Sequence, residues 1–159
     1  MNGELKGYLK METIVAAAFN FFINGMIAAL IYHKADYVAT DVISIAIDLI
    51  CTCLFIFLIT AFFCRASVKR TKTEGILPTN SRIVRFLSKL FRLPVLFSIV
   101  MGLAAAIILS ILIAPLFALF KIYAIPFGAY IALKSVFASL FGGGVTLLEL
   151  YLGMCKTGE

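Results

Sequence analysis

The sequence predicts an all-α integral membrane protein: four transmembrane helices in two hairpins, with a cytoplasmic amphipathic helix between spans two and three. Three observations predict it. Hydrophobic residues make up 63% of the 159 residues and the mean hydropathy is +1.09, against roughly 45–50% apolar in a typical soluble domain. Four mostly apolar runs recur along the chain, each with about the 20 residues a helix needs to cross roughly 30 Å of hydrocarbon. Finally, eight of the 14 Lys and Arg residues fall between the second and third runs: Arg65, Lys69, Arg70, Lys72, Arg82, Arg85, Lys89 and Arg92, with Glu74 as the single acid among them. A soluble domain of this length could not cover so much apolar surface with 14% charged residues.

Residues 1–12 are polar, with Lys6 and Lys10 offset by Glu4 and Glu12. The first span follows at 13–32. It is longer than the apolar part of a cleaved leader and carries Asn20 and Asn24, so it is expected to be retained. A polar turn from His33 to Asp41 leads into the second span, 42–64, with Asp41 placed to cap it.

Residues 66–80, with Gly75, Pro78 and Asn80, are expected to form a loop. The stretch 81–93 is amphipathic: Ile83, Leu87 and Leu90 recur at helical spacing beside Val84 and Phe91, and Arg82, Arg85, Lys89 and Arg92 fill the other side. Such a helix can lie among anionic lipid headgroups; the alternative is an extension of the third span, ended by Pro94. That span runs 94–119, with Pro115 expected to kink it. After a brief turn at 121–125, Pro126 opens the fourth span, 127–153.

Loop charge sets the expected orientation. The central segment holds eight cations, and the other two loops hold Lys34 and Lys121 alone. The positive-inside rule therefore puts residues 65–93 and both termini in the cytoplasm, and the chain in the plasma or inner membrane. The net charge of +6 sits mostly in this segment. It points to a bilayer with anionic headgroups, and not to nucleic acid, which would need a basic face on a water-exposed domain. Cys51 and Cys53 point to nearly opposite faces of one helix, and Cys64 and Cys155 lie near the inner surface, so no disulfide framework is expected.

Asn24-Gly25-Met26-Ile27-Ala28-Ala29 in span one resembles Met101-Gly102-Leu103-Ala104-Ala105-Ala106 in span three. Hairpin duplication would make the two halves parallel repeats; shared membrane composition accounts for the likeness equally simply.

Ionisable groups inside a span cost about 2.5–3.5 kcal/mol on insertion scales, so each asks for a reason. Asp48 and Lys134 lie six and seven residues inside their spans, roughly 9–11 Å below one boundary at about 1.5 Å per residue. Asn24, Thr52, Ser110 and Ser135 reach the same layer. Asn24, Asp48, Lys134, Ser110 and Thr52 are the candidate substrate or ion path. Three readings fit the charged pair: a vestibule lining, a structural ion pair that sets helix register, or Lys134 snorkelling outward. Gly142, Gly143 and Gly144 fit either a close helix crossing or a hinge that exposes carbonyls. Gly25 and Gly102 read as packing faces, and Glu149 as an interfacial anchor that reaches Arg65 or Lys156.

One histidine, His33, and scattered cysteines make no metal site, and no cofactor is expected. The chain has no CxxC, HExxH, GxSxG or phosphate-loop motif, so catalysis is not expected. The size invites comparison with small multidrug-resistance exporters, but the first span has no acid and the chain no Trp. The sequence thus favours a channel or transporter for an ion or small charged solute, assembled as a homo-oligomer or within a larger membrane complex. The alternative is a non-catalytic subunit beside a larger membrane partner, and the third choice a lipid-active membrane enzyme.

Overall fold

Helix α1, Gly3–Tyr32, begins ten residues before the expected first span. Nothing in GELKGYLKME stops a helix, and the added turns place Leu5, Tyr8 and Leu9 against the core. The structure is a computed structural model and describes residues 3–156, the side chain of Glu4 excepted; Met1, Asn2 and residues 157–159, the ends of the expected polar tails, lie outside the described residues.

Helix α2, Val42–Arg70, starts at the expected cap. The Asp41 carboxylate accepts from the N–H groups of Ile43 and Ser44 at 3.1 Å and from the Ser44 hydroxyl at 2.6 Å. The Ser44 hydroxyl, helped by these N–H groups, holds the Asp41 carboxyl below its usual range. At its far end α2 runs past residue 64 through the basic start of the expected loop. Polar contacts with the early turns of α1 secure that extension. Tyr8 donates to Ser67 Oγ at 2.8 Å, Ser67 donates to Glu12 at 2.7 Å, and Arg70 pairs with Glu12 at 3.5 Å.

Helix α3, Arg82–Phe91, is capped by the Ser81 hydroxyl, which accepts from Val84 N at 3.4 Å. Its inward side is Val84, Leu87, Ser88, Leu90 and Phe91; of the expected apolar residues Ile83 alone points away, 72% exposed. Helix α4, Pro94–Leu119, has the expected bounds, with proline in its first turn and Pro115 inside it. Helix α5, Phe127–Met154, runs unbroken through Gly142, Gly143 and Gly144. Thus α1, α2, α4 and α5 are four helices long and apolar enough to cross a membrane.

The two short turns do more than connect. Strand β1, Tyr37–Ala39, pairs antiparallel with β2, Ala124–Pro126, with Val38 opposite Ile125. Thr40 extends the join, its N–H bonding Tyr123 O at 3.0 Å and its hydroxyl bonding Ile122 O at 2.6 Å. At the other end of the bundle, Leu77 joins the terminus of α5: its N–H bonds Met154 O and its carbonyl accepts from Lys156 N, both at 2.8 Å.

Packing does not follow the two expected hairpins as units. Helix α1 lies chiefly along α5, α5 along α2, and α2 along α4, while α3 bridges α4 and α5. Bare glycine surfaces select these partners. Gly142 and Gly143 of α5 receive Asn20, Ala17 and Thr13 of α1, and Gly102 of α4 lies 3.1 Å, measured from an added Cβ, from the Leu54 backbone of α2. The apolar core fills the half of the bundle nearer α3. Phe57, Phe91, Phe97 and Phe141 meet there edge to face, with ring centroids 5.3–6.0 Å apart. The half beneath the strands is looser and holds the Asp48–Lys134 pair with the cavities beside it.

Candidate functional site

Every charged side chain buried in a bundle needs a partner or a role. Lys134 of α5 donates to Asp48 Oδ1 of α2, and the two side chains are only 7% and 23% exposed. Lys134 does not snorkel. Its ammonium lies 5.7 Å from the centroid of the Tyr130 ring, one turn earlier on α5, and that ring meets Tyr32 of α1 edge to face at 5.1 Å. Acid, base and both aromatic rings therefore come from three helices that only tertiary packing brings together.

Two cavities border the pair. One, about 410 Å³, is lined by Asn24, Tyr32, Ser44, Asp48, Cys51, Thr52 and Lys134 among others. The second, about 260 Å³, lies towards α4 and the strands; its polar lining is Tyr32, Thr40, Ser44, Asp48, Tyr130 and Lys134, and its walls include Leu49, Ile113, Leu116, Phe117 and Phe137. The structure thus brings Asn24, Asp48, Thr52 and Lys134 to one place. Ser110, which shares their expected depth, is half-buried on α4 and lines neither cavity.

Asn24 is buried and donates to Asn20 O at 3.1 Å, while Asn20 donates to Ala16 O at 2.9 Å. Both asparagines spend an N–H on their own helix, and the Asn24 side chain still borders the larger cavity. Ser135 is buried with its hydroxyl against Gly25. In the larger set, Tyr130 stands out: its hydroxyl is buried beside Asp48 and Tyr32 without a well-formed hydrogen bond to either.

No family model, curated protein or solved structure matches this chain. The site therefore stands on its own chemistry.

The remaining sequence candidates fall elsewhere. Gly142 and Gly143 are buried against α1, but Gly144 faces open space, with nothing within 4 Å of an added Cβ. Arg82, Arg85 and Lys89 along α3 and Arg92 just past its end are all exposed, next to the exposed Ile83 and Phe86. All four cysteines are free; Cys51 is exposed and the others are buried. Glu149 departs most from its expected place. It is 0% exposed, so it is no surface anchor, and although it lies beside Thr60 and Cys64, neither carboxyl oxygen has a hydrogen-bond partner.

Sequence reasoning missed Tyr32, Ser44 and Tyr130. A usable signal exists for two of them. Ser44, Asp48 and Thr52 recur every four residues, and Tyr130 precedes Lys134 by four, so each set shares one helix face. Tyr32 has no such signal, because its partner lies on a helix 95 or more residues away in sequence.

Proposed function

We propose that the chain is a small membrane channel or transporter for an ion or small charged solute, and that the solute passes the Asp48–Lys134 pair. The observation that carries this reading is that one ion pair borders two cavities, with Tyr32 and Ser44 shared between them. A purely structural pair is better served by close packing on all sides, since every void beside it forfeits contacts. Four spans enclose little water, so the working form is a homo-oligomer or part of a larger complex. Residues 65–93 and the chain ends face the cytoplasm, the strands face the opposite side, and α3 rests its cations on anionic headgroups.

The alternative, a non-catalytic subunit that offers its Gly/Ala faces to a partner, loses ground on one point. Gly25 is filled by Ser135 and Gly102 by Leu54, both within this chain. Purified protein in liposomes, assayed for ion flux and for dissipation of a proton gradient, tests the proposal. Flux that Asp48→Asn abolishes is the expected result. Inert liposomes, with a larger membrane protein co-purifying, would replace it with the subunit reading.

A further inference from the structure

An ion pair inside a bundle restricts what can bind to it. Asp48 and Lys134 neutralise each other. A lone cation that bonds Asp48 must leave the Lys134 ammonium unpaired in a largely apolar wall, and a lone anion on Lys134 strands Asp48 in the same way. Leaving one member of a buried pair without its partner is strongly unfavourable. A solute that carries both charges avoids this. Its ammonium takes Asp48, its carboxylate takes Lys134, and the net charge of the site is zero before and after.

The smaller cavity matches the rest of such a solute. Its volume of about 260 Å³ falls just below the usual range for small-molecule pockets, roughly 300–1,000 Å³. The walls opposite the pair are apolar: Leu49, Ile113, Leu116, Phe117 and Phe137. An independent observation points to the carboxylate end. The buried Tyr130 hydroxyl lines this cavity beside Asp48 and Tyr32 without a well-formed hydrogen bond to either, although it carries a donor.

We infer that the cavity between α2, α4 and α5 binds a small zwitterion with an apolar body, of the size of a free amino acid, across Asp48, Lys134 and Tyr130. The inference rests on the transport reading for its biological sense, but not for its test.

The test is equilibrium binding to the purified full chain in detergent, followed by thermal unfolding and calorimetry. Leucine is the probe. 3-Methylbutylamine, which lacks the carboxylate, and 4-methylpentanoate, which lacks the ammonium, are its single-charge analogues. Leucine raises the unfolding temperature saturably, and each analogue binds at least roughly tenfold more weakly. Glycine, with both charges and no apolar body, also binds more weakly. Tyr130→Phe weakens leucine binding without lowering the unliganded unfolding temperature, so the result does not depend on variants of the ion pair folding. An amine or acid that binds as tightly as leucine overturns the inference, as does a Tyr130→Phe protein that binds leucine normally or the absence of saturable leucine binding. Leucine binding without any flux in liposomes would remove the transport reading and keep this one. Asp48-dependent ion flux without leucine binding would do the reverse.

Discussion

Asn20 of α1 lies against the bare backbone of Gly142 in α5, so closely that a Cβ on Gly142 would overlap its amide group. The contact fixes the crossing of the two helices that share the longest interface in the bundle. Two glycines on, Gly144 faces open space.

This difference gives a paired expectation. Gly142→Ala forces Asn20 aside and costs about 1–3 kcal/mol, the usual penalty for overpacking. Gly144→Ala is neutral or stabilising by up to about 1 kcal/mol, because alanine suits a helix better than glycine. Unfolding temperatures of the two variants in the same detergent check both. Equal losses would mean that the glycine run is a flexible element and not a crossing point.

Asp48→Asn and Lys134→Met each leave one charge without its partner. Each is expected to cost about 3 kcal/mol, the low end for a buried pair, because Asp48 keeps 23% exposure. The double variant recovers most of that loss, since no lone charge remains. A thermodynamic cycle from the four unfolding curves measures the coupling. Additive losses would show that the two groups act separately.

Asp41 provides an expectation with a pH sign. Its carboxyl titrates lower in the folded chain than in the unfolded one, chiefly through the Ser44 hydroxyl. Its contribution is therefore fully present above the unfolded value, near pH 4, and is lost as the pH falls through the lower folded value. Asp41→Ala should lower the unfolding temperature at neutral pH, with the difference shrinking in acid. A difference that grows in acid would contradict the capping geometry.

Glu149→Met removes two buried oxygens that have no hydrogen-bond partner. The replacement is expected to raise stability by about 1 kcal/mol, since an unsatisfied buried polar group costs about 1–3 kcal/mol. Thermal unfolding measures it. A destabilised variant would mean that the carboxyl holds Thr60 and Cys64 in place.

The spans were legible because hydrocarbon thickness sets a minimum length and an apolar composition, both of which are written locally. Asp48 and Lys134 were legible for the complementary reason: a charge where none is cheap draws notice. What escaped depends on which helices touch. Thr13, Ala17 and Asn20 do not announce that their neighbours will be Gly142 and Gly143. Strands β1 and β2 have three residues each, too few for an alternating pattern, and their partners lie 85 or more residues apart in sequence. Glu149 looked close to water because the bundle was expected to end near residue 64. Instead α1 and α2 continue to Gly3 and Arg70, and this longer collar keeps Glu149 inside.

The order α1–α5–α2–α4 has a consequence for biogenesis. Helix α5 is the last of the five to be synthesised, yet both α1 and α2 depend on it. Until it leaves the ribosome and enters the bilayer, Asp48 has no counter-ion and Asn20 no glycine groove, and both must wait among lipids or insertion factors. A nascent chain halted before Phe127 would expose these groups within the membrane and be a natural substrate for intramembrane quality control.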